Sequence, residues 1–250
     1  MRTISPAQDD RRRAQVLGLP VDVVDMDEAV RRIEGFIAEG TPHVVVTADS
    51  SGMVTAQTDD AFREIVMSAD LVTPDSNGVV WAMRRAGAEV SGRVTGVDLV
   101  DRLCARSADK GYRVFFLGAA PGVAEMAAEK MRLRYPGCRI VGARHGYFPA
   151  DSDLVVAQEV AESEPDILFV AMGIPRQEKF IQATKDVIRA KVAMGVGGSF
   201  DVFSGQVKRA PVVIQKLKLE WLWRTLLNPK KIAKAKALPV FAWKVLRSKS

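Results

Sequence analysis

Short apolar runs rich in Val, Ile and Phe alternate along this chain with amphipathic stretches, and that alternation restricts the fold more than any other feature. The runs Val44–Thr47, Tyr112–Leu117, Arg139–Gly142, Ile167–Met172 and Val192–Val196 read as strands. They are apolar throughout, as strands covered on both faces tend to be. Between them the apolar positions recur at spacings of three and four, which predicts helices over Met26–Glu39, Gly52–Ser68, Val97–Ala108, Val123–Arg134, Ser152–Ser163 and Gln177–Arg189. Asp25 followed by Glu28 resembles a capping box at the start of the first of these. Strand–helix alternation of this kind predicts an α/β fold: a mostly parallel sheet with helices on both faces.

In such sheets ligands bind beyond the carboxyl ends of the strands. The residues to weigh are therefore Thr47-Ala-Asp49, Gly118-Ala-Ala-Pro-Gly122, Gly173-Ile-Pro-Arg-Gln177 and Gly195-Val-Gly-Gly198. The glycines of Gly195-Val-Gly-Gly-Ser-Phe-Asp201 either let backbone N–H groups approach a phosphate or make a tight turn with positive φ. Neither glycine run has the dinucleotide fingerprint spacing or the lysine of a P-loop, so nicotinamide binding has little support. In Thr73-Pro-Asp75-Ser-Asn-Gly78, Asp75 is either a general base or, like Ser76, a cap for a helix beginning near Val79. Arg93 is placed to hold a phosphate or carboxylate, or is a surface arginine, with Thr95 as a helix cap. Gln177 offers an orienting amide, or else belongs to a capped helix start with a solvated face. His145 has no second ligand at zinc spacing and reads as structural. No nucleophile elbow or Cys/His pairing appears, which argues against nucleophilic hydrolase chemistry.

The formal charge is +6, which suggests an anionic partner. Its distribution says more. Between Lys216 and Ser250 ten basic residues face only Glu220, so that segment carries +9 and the preceding 215 residues sum to −3. There Trp221, Leu222, Trp223, Leu226 and Leu227 stand among lysines, with Phe241 and Trp243 further on. Tryptophan beside lysine suits the headgroup region of an anionic membrane better than nucleic acid. A solvated helix packing its tryptophans on the body is the alternative. Helices are expected over Val213–Leu227, Pro229–Ala237 and Pro239–Lys249, with Pro229 and Pro239 as punctuation. The expected organisation is a loose N-terminal arm (1–14), an α/β domain (15–210) and a basic helical appendage (211–250). No run approaches the roughly 18 apolar residues of a spanning helix. Cys104 and Cys138 form neither a metal spacing nor a disulfide framework. With no signal peptide read at the N-terminus, a reducing cytosol is the expected compartment.

Taken in order, the motifs resemble those of the WecG/TagA/CpsF glycosyltransferases (glycosyltransferase family 26). The matching pieces are Thr47-x-Asp49, Ala69-Asp-Leu-Val-x-Pro-Asp75, Gly78-Val-Val-Trp81, Arg93-Val-Thr-Gly-x-Asp-Leu99 and Phe116-Leu-Gly118. They continue through Pro121-Gly-Val-Ala-Glu125, His145-Gly-Tyr-Phe148, Pro165-Asp-Ile-Leu168 and Gly173-x-Pro-x-Gln-Glu-Lys179. The last are Gly195-Val-Gly-Gly-Ser-Phe-Asp201, Arg209-Ala-Pro211 and Leu219-Glu-Trp-Leu222. The resemblance implies a Rossmann-like body and a metal-independent, cofactor-free, inverting transfer of an N-acetylhexosamine. The implied donor is UDP-N-acetylmannosamine or its uronic acid. The implied acceptor is a polyprenyl-diphosphate-linked sugar at the cytoplasmic face of the membrane.

By the same resemblance Asp75 is the base, Thr47 a substrate-contacting hydroxyl, and Arg93 and Gln177 active-site polar residues. Asp49, Asn77, Gly195, Gly197, Gly198 and Asp201 are expected to line the substrate site. The family's C-terminal appendage carries arginines toward the active site and contacts the membrane, and Arg224, Lys231 and Lys234 fall on those positions. The chain departs from the family at Asp49, commonly Asn, and at Ser76, commonly Gly. An extra carboxylate near a diphosphate is unwelcome unless a sugar hydroxyl or a cation meets it. The alternative reading is therefore a module that binds nucleotide or lipid phosphate without transferring sugar. A homo-oligomer is left open; a nucleic-acid partner is not expected.

Overall fold

The structure, a computed structural model, describes residues 12–208, 210, 211 and 232–248; the side chains of 232–236 lie outside that description. Six strands form one wholly parallel sheet in the order β4-β3-β8-β7-β5-β6. They are β3 (His43–Ala48), β4 (Leu71–Pro74), β5 (Arg113–Gly118), β6 (Arg139–Arg144), β7 (Ile167–Ala171) and β8 (Val192–Gly195). Alternate side chains enter two separate cores. Val44, Val46, Phe115, Leu117, Leu168 and Val170 face one way. Val45, Val114, Phe116, Ile167 and Phe169 face the other. Burial on both faces is why these strands read as unbroken apolar runs.

Helices α1 (Met26–Glu39), α5 (Gly96–Lys110), α6 (Val123–Arg134) and α9 (Ser199–Phe203) cover the second face. Helices α2 (Ser50–Thr55), α3 (Asp60–Ser68), α4 (Asn77–Arg85), α7 (Asp153–Glu162) and α8 (Arg176–Ile188) cover the first. The stretch expected as one helix over Gly52–Ser68 is two. Asp59 accepts the N–H of Phe62 at 3.0 Å and so starts a new helix. The Thr58 hydroxyl bonds back to the carbonyl of Thr55, competing with continued helix.

A second, two-stranded antiparallel sheet joins β1 (Arg13–Val16) to β2 (Leu19–Asp22). Arg13 and Ala14, expected in a loose arm, stand in this hairpin. Its anchor is Asp22, fully buried. Oδ1 of Asp22 accepts from Arg13 Nε and Arg32 Nη1, each at 3.2 Å, and Oδ2 accepts from the backbone N–H of Val72 at 2.8 Å. A carboxylate thus occupies a donor of the edge strand β4, closing the sheet where another strand would otherwise pair.

The last described element, α10 (Ile232–Arg247), runs straight through Pro239, which was expected to separate two helices. A mid-helix proline removes one N–H and crowds the preceding turn. Here the following turns are fixed by tertiary contact: Phe241 and Val245 are buried in the first core, and the helix packs on α2 and α4. The expected break at Arg209-Ala210-Pro211, the helix over Val213–Leu227 and Pro229 fall at or among residues outside the description.

Candidate active site

Because the sheet is parallel, the ends of β3, β4, β7 and β8 open on the same edge, and most of the motif residues gather there. The backbone N–H of Asp75 donates to the carbonyl of Ala48 at 3.0 Å, pinning the end of β4 to that of β3. The segment Arg93–Gly96 is clipped beside it: Val94 N–H donates to Pro74 O at 2.9 Å, and Gly96 N–H donates to Asp75 Oδ1 at 3.0 Å. Gly96 is the first residue of α5, so the Asp75 carboxylate meets the positive end of a 15-residue helix. Arg93, half-buried, lies in the same clipped segment.

Ser76, not Asp75, caps α4: its Oγ accepts the N–H of Val79 at 3.2 Å and lies 3.1 Å from the hydroxyl of Ser50. The Asp75 carboxylate does not cap α4 but turns to α5. Asn77 follows as the first residue of α4, half-buried. Asp49 caps α2, with Oδ1 accepting from Gly52 N–H and from the Ser51 hydroxyl, both at 2.7 Å. The Asp49 carboxylate is thus engaged with protein donors.

Thr47 is buried and donates from Oγ1 to the carbonyl of Gly195 at 2.8 Å. A side chain on Gly96 would come 3.5 Å from both Thr47 Cγ2 and Val196 Cα, so the start of α5 sits against β3 and the end of β8. Asp75, Gly96, Thr47 and Gly195 therefore form one connected frame.

Gln177 extends that frame and is 1% exposed. Oε1 of its amide accepts from Gly173 N–H and Gly197 N–H, each at 3.1 Å, and Nε2 donates to Glu178 Oε1 at 2.7 Å. The amide is a brace between the loops after β7 and β8. Gln177 and Glu178 do not belong to the solvated helix face weighed for this segment: both are buried. The brace also dictates Gly195, where a Cβ would lie 2.9 Å from Gln177 Cδ and Glu178 Oε1. Gly197 and Gly198 follow in the turn into α9; Asp201, half-buried on α9, accepts Val207 N–H with its carbonyl.

The turn Gly118–Gly122 lies at the same edge, where Ala119 accepts Gly146 N–H at 2.9 Å and donates to Ala171 O at 2.7 Å. His145 is half-buried, and its Nδ1 accepts Tyr147 N–H at 3.3 Å. Among the described residues no group of three or more His, Cys, Asp or Glu side chains is placed to hold a metal ion. Arg224 and Lys231 lie outside the described residues. Lys234 lies on α10 with its side chain outside the description.

Three contributors carried no local sequence signal: the Gly96 N–H, the Ser50–Ser76 hydroxyl pair and Phe241. A Cβ on Gly78 would come 3.4 Å from Phe241 Cε1, so α10 rests on the first turn of α4, just after Asp75. Its outer side leaves Trp243 53% and Leu246 57% exposed, with the Arg247 guanidinium 4.3 Å above the Trp243 ring. Among the described residues no helix is long and apolar enough to cross a membrane.

The sequence model of the Glycosyl transferase WecG/TagA/CpsF family matches residues 14–250. An N-acetylglucosaminyldiphosphoundecaprenol N-acetyl-beta-D-mannosaminyltransferase of Staphylococcus aureus strain MRSA252 is 34% identical over 240 residues, covering 95% of this chain and 93% of the relative. The protein of the same name from strain NCTC 8325 / PS 47 matches to the same extent. The chain belongs to this glycosyltransferase family.

Proposed function

We propose that this transferase moves N-acetylmannosamine from UDP-N-acetylmannosamine to N-acetylglucosamine carried on a polyprenyl diphosphate. The observation that carries the proposal is the position of Asp75: a carboxylate at the strand-end edge of the sheet, oriented by the Gly96 N–H at 3.0 Å, in a chain whose relatives bear that transferase name.

Asp75 takes the proton from the acceptor hydroxyl as that oxygen attacks the anomeric carbon of the donor. The new C–O bond forms opposite the breaking bond to the diphosphate, so the configuration inverts and UDP departs. Charge then grows on the leaving diphosphate. The Gly195–Gly198 turn, which lets a diphosphate approach the backbone closely, and the cations Arg93, Arg224, Lys231 and Lys234 are assigned to meet it, without a metal ion. Thr47, Asn77, Asp49 and Asp201 stand at the substrate side of the same edge. Gln177 acts through the loops it braces.

The acceptor is a lipid, and the basic, tryptophan-bearing C-terminal segment is assigned to hold the enzyme on the anionic cytoplasmic face of the membrane. Each Lys or Arg near such a surface contributes about 1 kcal/mol.

UDP release tests the reading. Purified enzyme given UDP-N-acetylmannosamine and a lipid-diphosphate-N-acetylglucosamine analogue is expected to release UDP only when both are present, and equally with a chelator added. UDP binding without turnover on any acceptor would instead favour the phosphate-binding module.

A further inference from the structure

The chain contains two cysteines, and folding brings them together. Cys104 lies two turns along α5 from Gly96, and Cys138 lies in the turn from α6 into β6. Both are unbridged thiols buried in the second core, close enough that each shifts the other's titration.

The contact is held by backbone that has little room to move. Ser107, on the turn of α5 after Cys104, accepts Arg139 N–H at 2.9 Å while donating to Tyr112 O at 2.6 Å. The residue next to Cys138 is thereby tied to the helix that bears Cys104. Cys138 N–H donates to Tyr135 O at 2.9 Å, and a Cβ on Gly137 would lie 3.5 Å from Ala108 O. On the far side Arg132 donates to Ile140 O at 2.7 Å, keeping its guanidinium near Cys138.

The two sulfurs are chemically unequal. The neighbouring Cys104 thiol, with Ser107 and the Arg132 charge, outweighs burial and holds the Cys138 thiol down to about 7. The Cys104 thiol, set beside the Cys138 sulfur and buried, is pushed well above its ordinary value. Cys138 retains 7% exposure and Cys104 none. One thiol is therefore set to react as thiolate and the other to resolve the product.

We propose that Cys104 and Cys138 are a redox modification site, a dithiol that a hydroperoxide converts to an intramolecular disulfide joining α5 to β6. The Cys138 thiolate attacks one peroxide oxygen and the O–O bond breaks. Cys138 becomes a sulfenic acid, and the departing hydroxide takes up a proton to leave as water. Cys104 then attacks the Cys138 sulfur, the S–O bond breaks, and the hydroxide leaves as water with the Cys104 proton. Two thiols and one hydrogen peroxide give one disulfide and two waters, the sulfurs losing the two electrons that the peroxide gains. The S–S bond is about 2.05 Å long, so its closure draws the middle of α5 toward the α6–β6 turn. A dithiol reductant reverses it.

The full chain, reduced and freed of reductant, is titrated with hydrogen peroxide. Thiols are then counted after denaturation, and unreduced proteolytic peptides are weighed. Both thiols are expected to disappear together in a monomer, with the Cys104 and Cys138 peptides cross-linked and dithiothreitol restoring both. In Cys104→Ser, which keeps a hydroxyl donor beside Cys138, dimedone is expected to label Cys138 after peroxide; in Cys138→Ala, the Cys104 thiol is expected to persist at the same dose. Persistence of both thiols in the wild-type chain, disulfides only between chains, or equal consumption of Cys104 in Cys138→Ala would overturn the proposal. Should a variant fail to fold, the wild-type cross-link decides.

Discussion

The backbone N–H of Gly96 donates to Oδ1 of Asp75 at 3.0 Å, joining the first residue of α5 to the carboxylate at the end of β4. The bond fixes one oxygen of the carboxylate and thereby sets the direction of the other. It also couples the proposed base to the rest of the frame, because α5 begins against Thr47 and Val196.

Replacing Gly96 with proline removes that donor while leaving the helix able to form. Proline is well accepted at the first helical position, and Thr95 before it already has φ −88° and ψ 148°, which suits a residue preceding proline. A hydrogen bond to a charged group is worth about 1.5–3 kcal/mol. Gly96→Pro should therefore lower kcat by roughly 10- to 100-fold with helical circular dichroism unchanged, as steady-state UDP release would show.

Gln177→Leu keeps the volume of the brace and removes its polar ends. The N–H groups of Gly173 and Gly197 lose their acceptor, at about 1–3 kcal/mol for each one left buried. The urea midpoint should fall accordingly. A midpoint equal to that of the wild type would show that the amide braces nothing.

The legible part of this fold was the part buried on both faces. Strands β3, β5, β7 and β8 announce themselves as apolar runs, the mostly half-buried edge strand β6 less so, and α1 and α6 begin and end where the spacing puts them. Strand β4 is four residues ending in Pro74, a residue confined to edges and strand ends, so Leu71–Pro74 reads as the approach to a turn. In β1, Arg13 and Gln15 alternate with Ala14 and Val16, a pattern too short to tell from an arm. At the site, the motif residues gather along one edge of the sheet, but only three-dimensional packing assigns the cap of α4 to Ser76 and buries Gln177 with Glu178. Pairing of Cys104 with Cys138 likewise depends on how α5 meets the α6–β6 turn, which no spacing rule encodes.

The ion pair between Asp59 and Lys179 links α3 to α8 and gives stability an acid limb. Lys179 Nζ, 2.7 Å from Asp59 Oδ2, and then the Phe62 N–H hold the Asp59 carboxyl below its ordinary value. Such a group adds stability above its unfolded pKa, about pH 4, and loses it as pH falls through the lower folded value. Lys179→Met should narrow this dependence. The urea midpoints of wild type and variant should differ above roughly pH 5 and converge toward pH 3.

Trp243→Glu places a charge on the outer side of α10, away from the buried Phe241 and Val245. Losing the stacked Arg247 should cost no more than about 1 kcal/mol at an exposed site, so thermal unfolding should barely change. Binding to vesicles containing anionic lipid should weaken clearly in a sedimentation assay. Undiminished binding would remove α10 from the membrane contact.

The central claim is that Asp75 is the base, and Asp75→Asn tests it most directly. Asparagine keeps the size of the side chain and an oxygen to accept the Gly96 N–H, but does not take up the acceptor proton. With donor and lipid-linked acceptor both saturating, kcat for UDP release should fall by about 10²- to 10⁴-fold, while UDP affinity measured by calorimetry stays near that of the wild type. An Asp75→Asn enzyme turning over at the wild-type rate would contradict the assignment.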